Sequence, residues 1–421
     1  MDYKKEIQSL VEEIKAQGYE AICFWLPAYN TGGGTYYFCE IAKYLVRNTN
    51  LHIYYMDYPD GYPSQLLRRT NVTILTYRLE DNSFPVQEKC VIITNSTRAI
   101  QLTNMRPDNK LLFWHYETAP CAWDIVFILG EKQRYLNLTQ QKHAMLFHDW
   151  SSWDILSQDC GTAYEKQYLP LYLKQREVRP HEAPVDINEI NVAWIGRLAK
   201  EKNQSLFNVI DNFAKYHTSR KKIFHIIGDG PLSCDVRKYI EKYKDIIDFI
   251  LTGTIPVNKL SQYLSDHVDV LFAMGLSVLE GASIGIPSVV VKLDIKPISG
   301  DEFFWLSDSM DYCVGILPSQ RDRFTVCFRS FATIINSVLA PGGKAAYGKR
   351  CYDYYLCNHS NEEFAIYQLL SAIKSDEMNM QELKDCIKYI PYTHVKLKKK
   401  ILLGRIISKR VFFENSEEER K

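Results

Sequence analysis

The pattern that most narrows the folds open to this chain is a repeated alternation. Short apolar runs, rich in β-branched and aromatic residues, are separated by stretches with helical periodicity. The first set is AICFWLP (21–27), LHIYYMD (51–57), VTILTY (72–77), CVIITN (90–95) and KLLFWH (110–115). The second is VDINEINVAWIG (185–196), KIFHIIGDG (222–230), DFILTG (248–253), VDVLFAM (268–274) and PSVVV (287–291). A strand that is apolar along its whole length is buried on both faces. The runs therefore predict parallel sheets covered by helices on each side, an α/β protein. Between the sets lies LKQREVRPHEAPVDINE (173–189), polar, with two prolines and little periodicity, which predicts an interdomain linker.

Length agrees with two domains, since 421 residues exceed one ordinary core. Hydrophobic residues make up 46% and charged residues 24%, the balance of a soluble globular protein. Lys plus Arg number 51 against 50 for Asp plus Glu, so no nucleic-acid partner is expected. The 28 tyrosines predict bulky cores with some surface for stacking on sugars or bases. Eleven cysteines, with no Cys-x-x-Cys pair and no histidine at zinc spacing, predict reduced thiols and a cytoplasmic location. The N-terminal MDYKKEIQSLVEEIKAQGYE has an amphipathic helix pattern rather than that of a signal peptide. No apolar run reaches the roughly 18 residues needed to span a bilayer.

Ligands of doubly wound sheets bind at the C-terminal strand ends, and five such ends carry chemistry. PAYNTGGGTYYFCEIAKYLV (27–46) places Gly32, Gly33 and Gly34 between a strand and a helix, where backbone can approach an anion. It has neither the Walker A nor the dinucleotide spacing, and a flexible turn is the alternative. IGRLAKEKNQSLF (195–207) has Gly196 and Arg197 at a strand end and Lys202 at a helix start. A planar fork and a point charge together suit a diphosphate, and a solvated turn is the alternative. IIGDGP (226–231) and LTGTIP (251–256) end strands at Gly230 and Gly253. In LFAMGLSVLEGASIGIPSVVV (271–291) a lone carboxylate, Glu280, follows a strand-to-helix junction.

The order of these segments, GRL and EKN, then GDGP, then S-x-L-E-G-A-S-x-G-I-P-S-V-V, resembles the GT-B glycosyltransferases, specifically retaining family 4 and its bacterial surface-polysaccharide members. The likeness is strong over 190–295, weaker over 20–50 and absent beyond 295. It implies an α/β, GT-B architecture of two Rossmann-like domains facing a central cleft. An acceptor-side domain would occupy 1–173, a linker 174–189, a nucleotide-sugar domain 190–360, and terminal helices with a basic tail 361–421. It implies that Arg197 and Lys202 clamp the donor diphosphate and neutralise the leaving group, with Gly196 and Gly230 beside them. Gly32, Gly33 and Gly34 would approach the diphosphate or donor sugar, Gly253 the base, and Glu280 the ribose hydroxyls. His115, ending KLLFWH, would lie near the donor sugar, and a structural histidine is the alternative.

One departure stands out. The family carries two glutamates separated by seven intervening residues, and counting back from Glu280 gives Phe272. Backbone amides of Gly275, Leu276 and Ser277 are then candidates to face the sugar or a phosphate. No Asp-x-Asp motif is present, so metal-independent stabilisation by cations and helix dipoles is expected, with no cofactor. Over 110–160 the readable feature is FHDWSSWD (147–154), whose aromatics are candidates for the acceptor side. The tail, 394–421, holds seven cations between Lys396 and Arg410 among Ile401, Leu402, Leu403, Ile406, Ile407, Val411 and Phe412. It reads either as a segment lying on an anionic membrane through 394–413 or as a last helix packed on the first domain. Function follows as sugar transfer from a UDP- or GDP-sugar to a glycan or lipid-linked oligosaccharide, on the inner face of the cell membrane. The competing reading, prompted by Phe272, is a non-catalytic glycan- or partner-binding subunit.

Overall fold

The structure, a computed structural model, describes residues 2–29, 32–77, 84–96, 105–116, 131–175 and 185–386. The chain divides into two compact units, Met1–His148 with Ser152–Leu169 and Glu363–Lys421, and Asp149–Ser151 with Pro170–Glu362.

The first unit is ordered α1 (Tyr3–Ala16), β1 (Ala21–Trp25), α2 (Gly33–Asn48), β2 (His52–Asp57), α3 (Tyr62–Leu67), β3 (Thr73–Thr76), β4 (Cys90–Asn95), β5 (Lys110–His115), α4 (Glu131–Gln141), β6 (Met145–Phe147) and α5 (Trp150–Cys160). Its sheet runs β3-β2-β1-β4-β5-β6, with every strand pair parallel. The fully apolar runs become the central strands β1, β4 and β5, each buried along its length. Helix α1 forms because Ile7, Leu10, Val11 and Ile14 fall on one face and are buried there, while Asp2 caps the Lys5 amide at 3.4 Å.

The second unit contains β7 (Glu189–Ile195), α6 (Lys200–Lys215), β8 (Lys221–Ile227), α7 (Ser233–Ile240), β9 (Asp248–Gly253), α8 (Val257–His267), β10 (Val270–Ala273), α9 (Leu276–Ala282), β11 (Ser288–Val290), β12 (Phe304–Trp305), α10 (Phe331–Leu339) and α11 (Gly343–Asn358). Its sheet runs β12-β11-β10-β7-β8-β9, parallel except for β12. Phe272 on β10 is fully buried, stacked on Phe331 at 5.1 Å and edge-on to Phe303 at 5.3 Å.

The chain then returns to the first unit through α12 (Glu362–Ser375) and α13 (Met380–Cys386). Tyr3 packs on Phe364 and Tyr367, and Leu111 and Met380 exchange backbone hydrogen bonds with Met378 and Asn109. The basic segment 394–413 lies outside the described residues. No helix among the described residues is long and apolar enough to cross a membrane.

All ten apolar runs contain a strand. Two short strands, β6 and β12, were not legible in the sequence, being three and two residues long.

His225, buried in β8, offers a stability test. Its ring nitrogens meet Tyr263 Oη at 2.8 Å and Asn191 Oδ1 at 3.1 Å, and burial, assisted by His267, lowers its pKa to about 4. The unfolded chain binds this proton near pH 6.5 and the folded chain does not, so the stabilisation is complete above pH 6.5 and is lost as pH falls towards 4. Denaturant unfolding should show stability falling by about 3 kcal/mol across that window, a slope that His225→Gln should flatten.

Candidate functional site

In the second unit β7 is central, flanked by β8 and β10, so the loops leaving these three strands are neighbours. The β7 and β8 loops are laced together. Gly196 donates to Ile227 O at 3.0 Å, Leu198 to Asp229 O at 3.0 Å, and Leu232 to Leu198 O at 3.0 Å. Side chains have no room there. A Cβ on Gly228, whose φ is +135°, would lie 2.0 Å from Gly196 O, and one on Gly230 would lie 2.4 Å from Leu198 O. Gly230 thus serves loop-to-loop packing. The turn is closed by Asp229, which accepts from the Gly230 amide at 2.7 Å and from the Ser233 hydroxyl. Those bonds, the hydroxyl's first, hold its carboxyl below the usual range.

This lacing sets the start of α6, where Ala199 stands at the N-cap position without a side-chain cap. An uncapped N-terminus leaves backbone donors open to an anion. Arg197 is exposed and donates from Nη2 to Glu201 Oε1 at 2.7 Å. Lys202, in the first turn, is half-buried; its amide donates to Ala199 O at 2.9 Å, and its ammonium has no hydrogen-bond partner among the described residues. Burial lowers its pKa, opposed by Glu201 and reinforced by Arg197. An ammonium that is destabilised and lacks an acceptor is suited to a ligand anion.

At the β10–α9 junction Gly275 has φ +61° and ψ −142°, a conformation that only glycine adopts readily. Its amide donates to Val314 O at 2.9 Å, so it is already engaged. Leu276 and Ser277 open α9, and Glu280 is half-buried one turn later. Gly253, with φ +67° and open space beside it, ends β9 and accepts from the Gly228 amide at 2.9 Å.

In the first unit Gly32 is the extended N-cap of α2, followed by Gly33 and Gly34. A Cβ on Gly34 would press to 3.2 Å from the Tyr116 ring. His115 is buried at the end of β5, its Nδ1 2.7 Å from Ser96 Oγ, while Tyr135 donates to Ser96 O at 3.0 Å.

Two supporting carboxylates escaped the sequence reading. Asp57, buried at the end of β2, accepts from Ala28 N at 3.1 Å and from Ser64 N and Oγ at 2.9 and 2.7 Å. It ties the loop leading to α2 to the start of α3. Asp149 accepts from Val314 N at 3.3 Å and so holds the loop that engages Gly275. Within FHDWSSWD, Trp150 is buried against Phe324 at 4.6 Å and Ser151 donates to Gln320 at 2.7 Å, packing roles inside the second unit.

No protein-family model matches this sequence, and no curated protein does. Solved structures match its fold. HepE from Anabaena, in complex with UDP and glucose, aligns with a TM-score of 0.54 and 14% identity over 84% of this chain and 98% of that one. The lipopolysaccharide outer-core galactosyltransferase WaaB, in its apo form, gives 0.57 and 13% over 84% and 99%. A glycosyltransferase from Rickettsia africae gives 0.56 and 13% over 91% and 99%. The chain has the GT-B fold. The laced β7 and β8 loops and the β10–α9 junction lie on the C-terminal strand-end edge of the second sheet.

Phe272 is core, and restoring a carboxylate there should damage the fold. Phe272→Glu is expected to lose more than about 4 kcal/mol in denaturant unfolding, against less than about 2 for Phe272→Leu.

Proposed function

We propose that the chain transfers a sugar from a nucleotide-diphosphate donor, UDP-linked in the first instance, to a glycan acceptor. The observation that carries this reading is Lys202, a half-buried ammonium without an acceptor, in the first turn of an uncapped helix. HepE, of the same fold, binds UDP and UDP-glucose, which supports the choice of donor.

On this reading Arg197 leaves Glu201 to fork onto the diphosphate while Lys202 supplies a fixed point charge. Glu280 accepts the ribose hydroxyls, Gly253 passes beside the base, and the open amides of Leu276 and Ser277 face the sugar or phosphate. Gly32, Gly33 and Gly34 bring α2 to the donor, and His115 stands near the sugar. Charge on the departing diphosphate is met by these cations and amides, an electrostatic mechanism that lowers the barrier without an enzymic nucleophile. In the retaining course the bond from the anomeric carbon to the phosphate oxygen breaks, the acceptor oxygen bonds on the same face, and its proton passes to the leaving phosphate. The acceptor is a lipid-linked surface glycan, reached with the help of 394–413 at the membrane. Phe272 favours the second reading, a non-catalytic subunit that binds glycan or a partner enzyme.

Transfer of labelled sugar from a UDP- and GDP-sugar panel to extracted lipid-linked acceptors, scored by mass spectrometry, separates the two. Donor binding without transfer selects the second reading, and no stabilisation by any millimolar nucleotide sinks the first. Glu280→Ala should weaken UDP binding about tenfold, roughly 1.4 kcal/mol. Lys202→Ala should lower turnover by about 10² to 10³.

Protons report on the same lysine. A diphosphate raises the lowered pKa of Lys202, so between the free and bound values the complex holds more protons than the free chain. Calorimetry in buffers of different ionisation enthalpy should show proton uptake on UDP binding and affinity falling as pH rises, both abolished in Lys202→Met.

A further inference from the structure

Exposed aromatic rings gather at one place on this chain. Among the described residues the large aromatic side chains that stand exposed are Tyr29 and Tyr36, at 38% and 39%. The other large exposed apolar groups, Ile187, Ile246, Ile250 and Val257, are aliphatic and lie in the second unit. Tyr29 follows β1 and Tyr36 lies in the first turn of α2, so the two bracket Gly32, Gly33 and Gly34.

Tyr29 is held from two sides. Its ring stacks on that of Tyr58, which follows β2, with centroids 4.7 Å apart and planes 12° from parallel. Tyr58 rests on Tyr77 at 6.0 Å and Tyr77 on Trp25 at 5.3 Å, so a row of four rings runs from the core of the first sheet to its C-terminal edge. The backbone is fixed as well, since the Ala28 amide donates to Asp57 at 3.1 Å and its carbonyl accepts from the Tyr62 amide at 2.7 Å. One face of Tyr29 is covered by Tyr58, yet the side chain stays exposed. A ring fixed in this way loses little freedom when a ligand covers it.

Charge decides what such a ring takes. LPAYNTGGGTY (26–36) and YPDGYPS (58–64) contain no Lys and no Arg. The charged residue they do contain is Asp60, which is exposed. A phosphate finds no cation in these stretches, whereas sugar hydroxyls find a carboxylate acceptor and sugar C–H bonds an electron-rich ring face. The second unit is equipped the other way, with Arg197 and Lys202 past β7 and no exposed large aromatic among the described residues.

Strand order places the ring pair. The order β3-β2-β1-β4-β5-β6 reverses between β1 and β4, the switch point where ligands of such sheets sit. Tyr58 leaves β2, about 4.8 Å to the other side of β1. A sugar on Tyr29 is therefore a neighbour of whatever occupies the crevice, not its occupant.

We infer that Tyr29, backed by Tyr58, is a stacking platform for a pyranose ring of the acceptor glycan, and that this ring is next to the one that reacts. The acceptor is then an oligosaccharide rather than a single sugar. The choice of an acceptor glycan rests on the proposed transfer reaction; the stacking itself is read without turnover.

Saturation-transfer NMR on the full chain tests it, with cellobiose, lactose and N,N′-diacetylchitobiose as probes beside the methyl glycosides of glucose, galactose and N-acetylglucosamine. At least one disaccharide is expected to bind about tenfold more tightly than its methyl glycosides, an advantage that Tyr29→Ala erases. Tyr29→Phe, which keeps the ring, should stay within about threefold of the unaltered chain, and UDP affinity measured by calorimetry should be unchanged in both variants. Binding by none of the disaccharides overturns the inference, as do methyl glycosides that bind equally well and disaccharide binding that ignores Tyr29→Ala. Loss of UDP affinity in Tyr29→Ala overturns it too, because the ring would then serve the base. Failure of the transfer reaction leaves these arms readable, and absence of sugar binding leaves the UDP and Lys202→Ala results of the transfer reading untouched.

Discussion

The second unit depends on a place where two loop backbones touch with no side chain between them. Gly228 lies against the carbonyl of Gly196 so closely that a single Cβ, 2.0 Å from that oxygen, would force the loops apart. Contact at that distance lets Leu198 donate to Asp229 and accept from Leu232, so the exits of β7 and β8 move as one body. Everything chemical on this edge inherits its position from that contact. Ala199 begins α6 one residue later, and Arg197 and Lys202 sit on either side of it.

The two cations differ in what holds them. Arg197 shares an exposed pair with Glu201, a kind of contact that contributes about 0 to 1 kcal/mol and is readily exchanged for a better anion. The half-buried ammonium of Lys202 has lost part of its solvent without gaining a hydrogen bond, so its charged form is penalised in the free protein. In the proposed site Arg197 would be the adjustable cation and Lys202 the fixed one. The difference predicts distinct phenotypes, because only the second carries its desolvation in the free protein.

Strands were legible in this sequence because burial on both faces leaves a continuous apolar run. CVIITN, KLLFWH and DFILTG match β4, β5 and β9 residue for residue. Strands β6 and β12 were hidden, since two or three residues carry no period. Side-chain partnerships were not legible, for a different reason. Asp57 meets Ala28 and Ser64, Asp149 meets Val314, and His115 meets Ser96. Each pair is joined by topology rather than spacing. The glycines illustrate the middle case: their places in turns were readable, but Gly230 proved to be a packing requirement and the amide of Gly275 proved to be occupied.

Phe272 is best understood through strand alternation. On β10, Leu271 faces the side where α9 packs, with its Cδ2 2.5 Å from where a Gly281 Cβ would be. Phe272 faces the other side and stacks under Phe331 of α10. Successive strand residues point to opposite faces, so a carboxylate at 272 would enter the aromatic layer rather than reach the strand ends. The position that counting assigns to the family's first glutamate is therefore a core position in this chain. A sugar-contacting group, if the donor is held as in the proposal, has to come from beyond Ala273, where the backbone turns at Gly275 and side chains first leave the sheet.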